Sequence, residues 1–191
     1  MPISTIVANS LASGVPTASQ GGSIVLISSG TAAASSAVSF TGLSLSGYSA
    51  IQIIANNITV ATNAVTLQCQ MSSAGTLATS GYAHVEFRMV QGGSASSGSI
   101  SDTQINICSS GDTLNNSSTI GNSFTMTVYG PAQTNTYKQY TSQFSGYGSD
   151  YIGVTGQGAY KYATAVDGIK FFVSSGNITT GNFYLYGIRN S

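Results

Sequence analysis

Apolar and polar residues alternate along much of this chain with a period of two. Val65, Leu67, Cys69 and Met71 stand two apart, as do Phe124, Met126 and Val128, and then Ile169, Phe171 and Val173. Successive side chains of a strand point to opposite faces, so each set marks the buried side of a β-strand. Tyr82–Val90 alternates too. This predicts a core face of Val85, Phe87 and Met89, with His84, Glu86 and Arg88 on the opposite, solvated face. Further strands are expected at 23–28, 37–43, 48–55, 58–61 and 104–108, with Phe183 and Leu185 closing the series.

Between Ile169–Val173 and Phe183–Leu185 lies a turn rich in Ser, Gly, Asn and Thr, the signature of a β-hairpin. Helix-favouring Glu, Lys and Leu are few, whereas Ser, Thr, Val, Ile, Tyr and Gly dominate. The pattern predicts an all-β protein, an antiparallel β-sandwich of jelly-roll-like form over residues 23–191. Residues 1–22 are weakly patterned and broken by Gly14, Pro16 and Gly21-Gly22. They read as an extended N-terminal arm or attachment segment, with a disordered tail as the plain alternative. Gln91–Ser101, nearly all Gly and Ser, reads as a flexible loop.

Charge sharpens this picture. Only 5% of the residues are Asp, Glu, Lys or Arg, and the net charge is zero, where a typical soluble domain carries about 25%. A surface of Ser, Thr, Asn, Gln and Gly suits a protein packed into an assembly or facing outward from a particle. No basic stripe is present to neutralise phosphates, so no nucleic-acid partner is expected. No long apolar run predicts membrane insertion. The N-terminus lacks a basic segment followed by an apolar core, so no signal peptide is expected.

Candidate chemistry is sparse. His84 is the one histidine, and with Cys69 and Cys108 it forms no metal-ligand spacing, so no metal and no cofactor are expected. Cys69 shares the face of Val65 and Leu67 and is a core thiol, whereas Cys108 falls in the opposite phase to Ile105 and Ile107. Both are expected to be reduced. The serines have no nucleophile elbow. Asp102, Asp112, Asp150, Asp167 and Glu86 lie in separate segments, so no enzymatic activity is expected. Six of the eleven tyrosines fall close together: Tyr137, Tyr140, Tyr147, Tyr151, Tyr160 and Tyr162, among Gln133, Asn135, Gln139, Gln143 and Gln157. Aromatic faces and amides contact glycans, and they equally line subunit interfaces or pack on strand faces.

Several blocks occur in a characteristic order. Ser39-Phe40-Thr41-Gly42-Leu43 leads, then Ser46-Gly47-Tyr48, Ile51-Gln52-Ile53-Ile54, Ala61-Thr62 and Leu67–Ser72. Ser80-Gly81-Tyr82 follows, and the ending runs Val173-Ser174-Ser175-Gly176-Asn177-Ile178, then Gly181-Asn182-Phe183-Tyr184-Leu185-Tyr186-Gly187. From about residue 36 onward this order resembles bacteriophage virion structural proteins, the tail-fibre, head-fibre and particle-associated β-sandwich chains. The resemblance implies a capsid decoration or head-fibre protein assembling by symmetric subunit contacts, trimers included. Its partners would be other virion proteins, and its place the virion after synthesis in the host cytoplasm. The alternative it implies is a tail-fibre or receptor-binding module recognising host surface glycans. The N-terminal segment does not match the pattern, so head and tail positions are not separated.

Overall fold

Where one side of an alternating segment meets a core and the other meets water, the segment pairs into sheet. The computed structural model describes residues 24–108 and 113–189, and every regular element in them is a strand. The expected arm at 1–22 lies outside the described residues.

The larger sheet has eight strands. In spatial order they are β1 (Ile24–Ser35), β13 (Ile178–Arg189), β3 (Tyr48–Val60), β9 (Asn122–Tyr129), β10 (Lys138–Tyr147), β11 (Tyr151–Tyr160), β6 (Tyr82–Val90) and β7 (Gly93–Asp102). The smaller sheet runs β2 (Ala37–Phe40), β12 (Gly168–Val173), β4 (Leu67–Ser73) and β5 (Thr76–Leu77), with β8 (Ile105–Asn106) also paired to β4. All pairings are antiparallel. The chain passes from β1 to β2, from β3 to β4 and from β12 to β13, changing sheet each time. The order β1-β13-β3 in one sheet is thereby mirrored by β2-β12-β4 in the other, which is the jelly-roll-like winding of a sandwich.

The core lies between the sheets. Phe171 of β12 meets Phe124 of β9 at 5.3 Å and Phe183 of β13 at 5.5 Å between ring centres. Cys69 Sγ lies 4.0 Å from Met126 Sδ across the same layer. Tyr82 ties the sheets by a polar link: its buried hydroxyl accepts the Met71 N–H at 2.8 Å. Both cysteines are buried thiols outside any disulfide. Cys108 does not point away from the core: it is buried beside Ile107, because β8 ends at Asn106 and the chain turns inward, where Cys108 Sγ accepts the Leu67 N–H.

Three strand assignments also differ from expectation. First, residues 93–102, nearly all within the loop expected at Gln91–Ser101, form an edge strand. Gly and Ser carry no apolar signal, yet their backbone pairs with β6 from Val90↔Gly93 to Tyr82↔Asp102, and the turn before β7 places Gly92 at φ 88°. Second, 48–55 and 58–61 are one strand, β3, continued through a bulge at Asn57 with φ 54°.

Third, β6 has the opposite phase to the one its hydrophobicity implies. Val85, Phe87 and Met89 are 57%, 47% and 52% exposed, whereas Glu86 is buried. The register with β11 sets Tyr82, Glu86 and Arg88 against Tyr160, Gly156 and Val154, on the side that faces the core. Tyr82, fully buried and hydrogen-bonded into the small sheet, fixes this phase. A shift of one residue would expel it.

Candidate functional site

Strand alternation distributes the tyrosines. On β10 the inward positions are Lys138, Tyr140, Ser142, Phe144 and Gly146; the outward ones are Gln139, Thr141, Gln143, Ser145 and Tyr147. On β11, Ile152 and Val154 point inward, and Tyr151, Gly153, Thr155 and Gln157 outward. Tyr140 and Tyr160 are each 2% exposed and therefore belong to the core rather than to any contact surface. Burial pushes both hydroxyls above the ordinary tyrosine range. Gly158 leaves room for β6 and for this ring, since a Cβ there would come within 2.0 Å of the Ala83 carbonyl oxygen and 2.7 Å of the Tyr140 hydroxyl oxygen.

The other four tyrosines occupy three places. Tyr147 and Tyr151 form an edge-to-face pair, with ring centres 5.3 Å apart, at the β10–β11 turn. Tyr137 stands at the far end of the same two strands, lining a hollow with Tyr129, Asn135 and Gln139. Tyr162 leans on Tyr160 at 5.0 Å, and its hydroxyl lies 2.8 Å from Ser80 Oγ. The expected cluster is thus two exposed aromatic groups at opposite ends of one sheet face, plus a third site elsewhere.

That face is the outward side of the large sheet. Between its aromatic ends stand Gln52 of β3, Thr125 and Thr127 of β9, Thr141 and Gln143 of β10, and Thr155 and Gln157 of β11, which together line a shallow groove. Strands β3, β9 and β11 contain no Asp, Glu, Lys, Arg or His. Lys138 is the one charged residue of β10, and it is buried. Its ammonium donates to the Thr136 carbonyl at 2.7 Å and the Tyr162 carbonyl at 3.3 Å, and desolvation lowers its pKa. The outward positions of β6 add the exposed apolar row Val85, Phe87 and Met89. The result is a broad uncharged face, hydroxyl- and amide-bearing in the middle and apolar along β6.

Buried groups hold this face in shape. Asn122, fully buried at the start of β9, donates from Nδ2 to the Ile58 carbonyl at 2.9 Å and accepts the Tyr147 N–H on Oδ1 at 3.0 Å. It thereby joins the β3 bulge to the turn carrying the tyrosine pair. On the inner side, His84 Nδ1 lies 2.7 Å from Asp102 Oδ2 and Ser97 Oγ donates to Glu86 Oε1 at 2.6 Å, fastening β7 to β6. The row expected on a solvated face is therefore an internal fastening, made polar because its partners on β7 are polar.

Glu86 and Asp102, expected in separate segments, are brought to the neighbouring strands β6 and β7. Asp167 accepts Ser72 Oγ and the Gly75 N–H, each at 2.7 Å, and closes a turn. Glu86 and Asp102 serve β7, and Asp112 lies outside the described residues. Among the described residues no group of three or more His, Cys, Asp or Glu side chains is placed to hold a metal ion. No helix long and apolar enough to cross a membrane occurs among them.

No protein-family model matches the chain, and no curated protein matches it. Among solved structures it is similar to the CBM2 module of the Lactobacillus casei BL23 phage J-1 evolved Dit, at 12% identity. That likeness covers 81% of this chain and 69% of the other with a TM-score of 0.28.

Proposed function

We propose that the protein is a non-enzymatic component of a phage particle, held to copies of itself and to other virion proteins through the outward face of its large sheet. The order of sequence blocks that resembles virion proteins supports the setting. The observation that carries the contact role is the exposed row Val85, Phe87 and Met89 beside β11, in a sheet whose strands β3, β9 and β11 have no charged side chain. A free surface ordinarily interleaves charges, and a contiguous apolar row marks an association site. Closed symmetry, a trimer in the simplest form for a decoration or fibre protein, uses such a face repeatedly. Sedimentation velocity tests this. The purified chain associates at tens of micromolar, and Phe87→Glu returns it to monomer without unfolding it. A wild-type chain that stays monomeric, or a Phe87→Glu chain that associates equally, refutes the proposal.

A second reading is favoured by one particular observation. Tyr151 is 78% exposed and braced edge-on by Tyr147, above a face of amides and hydroxyls. A rigid exposed aromatic beside such groups is the chemistry of glycan contact. In this reading the protein is a receptor-binding module for host surface glycans, and Tyr151→Ala reduces adsorption to host cells while leaving the particle intact. Unchanged adsorption refutes it.

A further inference from the structure

Gly153 is an outward glycine of β11 with no positive φ to explain it. It is also not a packing necessity, because a Cβ at Gly153 would meet Met89 Cε at 3.6 Å, an ordinary contact. The inward glycines of the same strand differ, since Cβ atoms at Gly156 and Gly158 would collide with Ser142 and Tyr140. What Gly153 does is leave the sheet face open. A hollow of about 530 Å³ lies over it, bordered by Met89, Gln143, Ser145, Thr155, Thr125 and Asn56. This is within the range of small-ligand clefts, about 300–1,000 Å³. Tyr151 stands two residues along the same side of the strand, about 7 Å away.

We infer that this hollow is a subsite for one uncharged sugar unit of a glycan, an inference that rests on the second reading above. The lining joins an apolar wall, Met89, to hydroxyls and amides that both donate and accept, Thr125, Thr155, Gln143 and Asn56. A pyranose presents the same pairing, an apolar ring face and hydroxyls at its rim. The lining holds no charged side chain. A sialic, uronic or phosphorylated sugar would lose its hydration there without gaining a counter-charge, which disfavours it. Neutral specificity follows from the same scarcity of charge that marks the whole face.

The test uses the full chain and saturation-transfer NMR titration with lactose, maltose, cellobiose and N,N′-diacetylchitobiose, against 3′-sialyllactose and digalacturonic acid. At least one neutral disaccharide binds, and both acidic probes bind at least about tenfold more weakly, a difference of about 1.4 kcal/mol. Gly153→Val fills the hollow with a strand-favouring residue and weakens the neutral probe at least about tenfold with an unchanged unfolding midpoint. Tyr151→Ala weakens it as well. No binding by any neutral probe, equal binding of the acidic ones, or full affinity in Gly153→Val overturns the inference. Host adsorption separates the two failures: adsorption lost in Tyr151→Ala but unchanged in Gly153→Val sinks the subsite and leaves the receptor reading standing.

Discussion

The phase of β6 sets which residues the protein shows to its surroundings, and one pair of substitutions decides it. Hydrophobicity alone puts Phe87 in the core and Tyr82 on the other face. In the structure Phe87 is 47% exposed, and Tyr82 is fully buried with its hydroxyl bonded to Met71. Fully burying a Phe side chain contributes about 1.5–3 kcal/mol, so Phe87→Ser, which loses roughly half of that, costs about 1 kcal/mol. Truncating a buried aromatic costs about 3–5 kcal/mol, and a lost buried hydrogen bond adds to it, so Tyr82→Ala costs at least about 4 kcal/mol. Urea unfolding followed by far-ultraviolet circular dichroism reads both values. With an m-value of about 2 kcal/mol/M, the midpoint falls by about 0.5 M for Phe87→Ser and by about 2 M for Tyr82→Ala. The measurement is made at low protein concentration, because association through Phe87 would itself stabilise the folded chain. A larger loss for Phe87→Ser than for Tyr82→Ala would refute the assigned phase and, with it, the exposed row on which the contact face depends.

Further outcomes follow from other parts of the structure. Asn122→Ala removes one buried and one part-buried hydrogen bond and leaves the Ile58 carbonyl and Tyr147 N–H without that partner; it should cost about 2–3 kcal/mol in urea unfolding and raise amide exchange at Tyr147. The pKa values of Tyr82, Tyr140 and Cys69 are raised, chiefly by desolvation, from ordinary values of 10.0, 10.0 and 9.0. The unfolded chain releases these protons first, so their stabilisation is complete below about pH 9 and is lost progressively above it, at about 1.4 kcal/mol per group per pH unit. Lys138, with its lowered pKa, acts in the opposite sense but is a single group. The urea midpoint should therefore fall between pH 9 and 11, and a flat profile would contradict the burial of these side chains. Replacing Thr141 and Thr155 with Lys should abolish association with little change in thermal midpoint, as read by sedimentation and calorimetry.

The strands legible in the sequence were those with one uniformly apolar face. β4, β9 and β12 bury Leu67, Cys69 and Met71, then Phe124, Met126 and Val128, then Ile169, Phe171 and Val173. Their alternation reports burial directly. β10 and β11 escaped notice because their inward positions include Lys138, Ser142, Gly146, Gly156 and Gly158, which interrupt any apolar count. A signal was nonetheless present in Tyr140, Ser142 and Phe144 set against Gln139, Thr141 and Gln143. β7 offered none, since its Gly and Ser residues give no apolar alternation although its backbone pairs with β6. β6 misled because its inward side is polar and its partners for that side, Asp102 and Ser97, lie on the strand read as a loop. The tyrosine cluster misled for a different reason. Proximity along the chain does not survive alternation, which sends Tyr140 and Tyr160 inward and leaves Tyr147 and Tyr151 outside. The open glycine at Gly153 could not be told from the packed ones at Gly156 and Gly158 without coordinates.

On the proposed reading, the uncharged outward face of the large sheet is the surface through which this protein meets its partners. If the proposed setting holds, a cryo-electron microscopy map of the phage particle shows what covers this face. Density from a neighbouring chain or a bound glycan is then expected over Phe87, Gln143 and Thr155, and substitutions there should displace it. A map in which that face is open to solvent, with the contacts made instead by the outer side of the small sheet around Lys170 and Phe172, would contradict it.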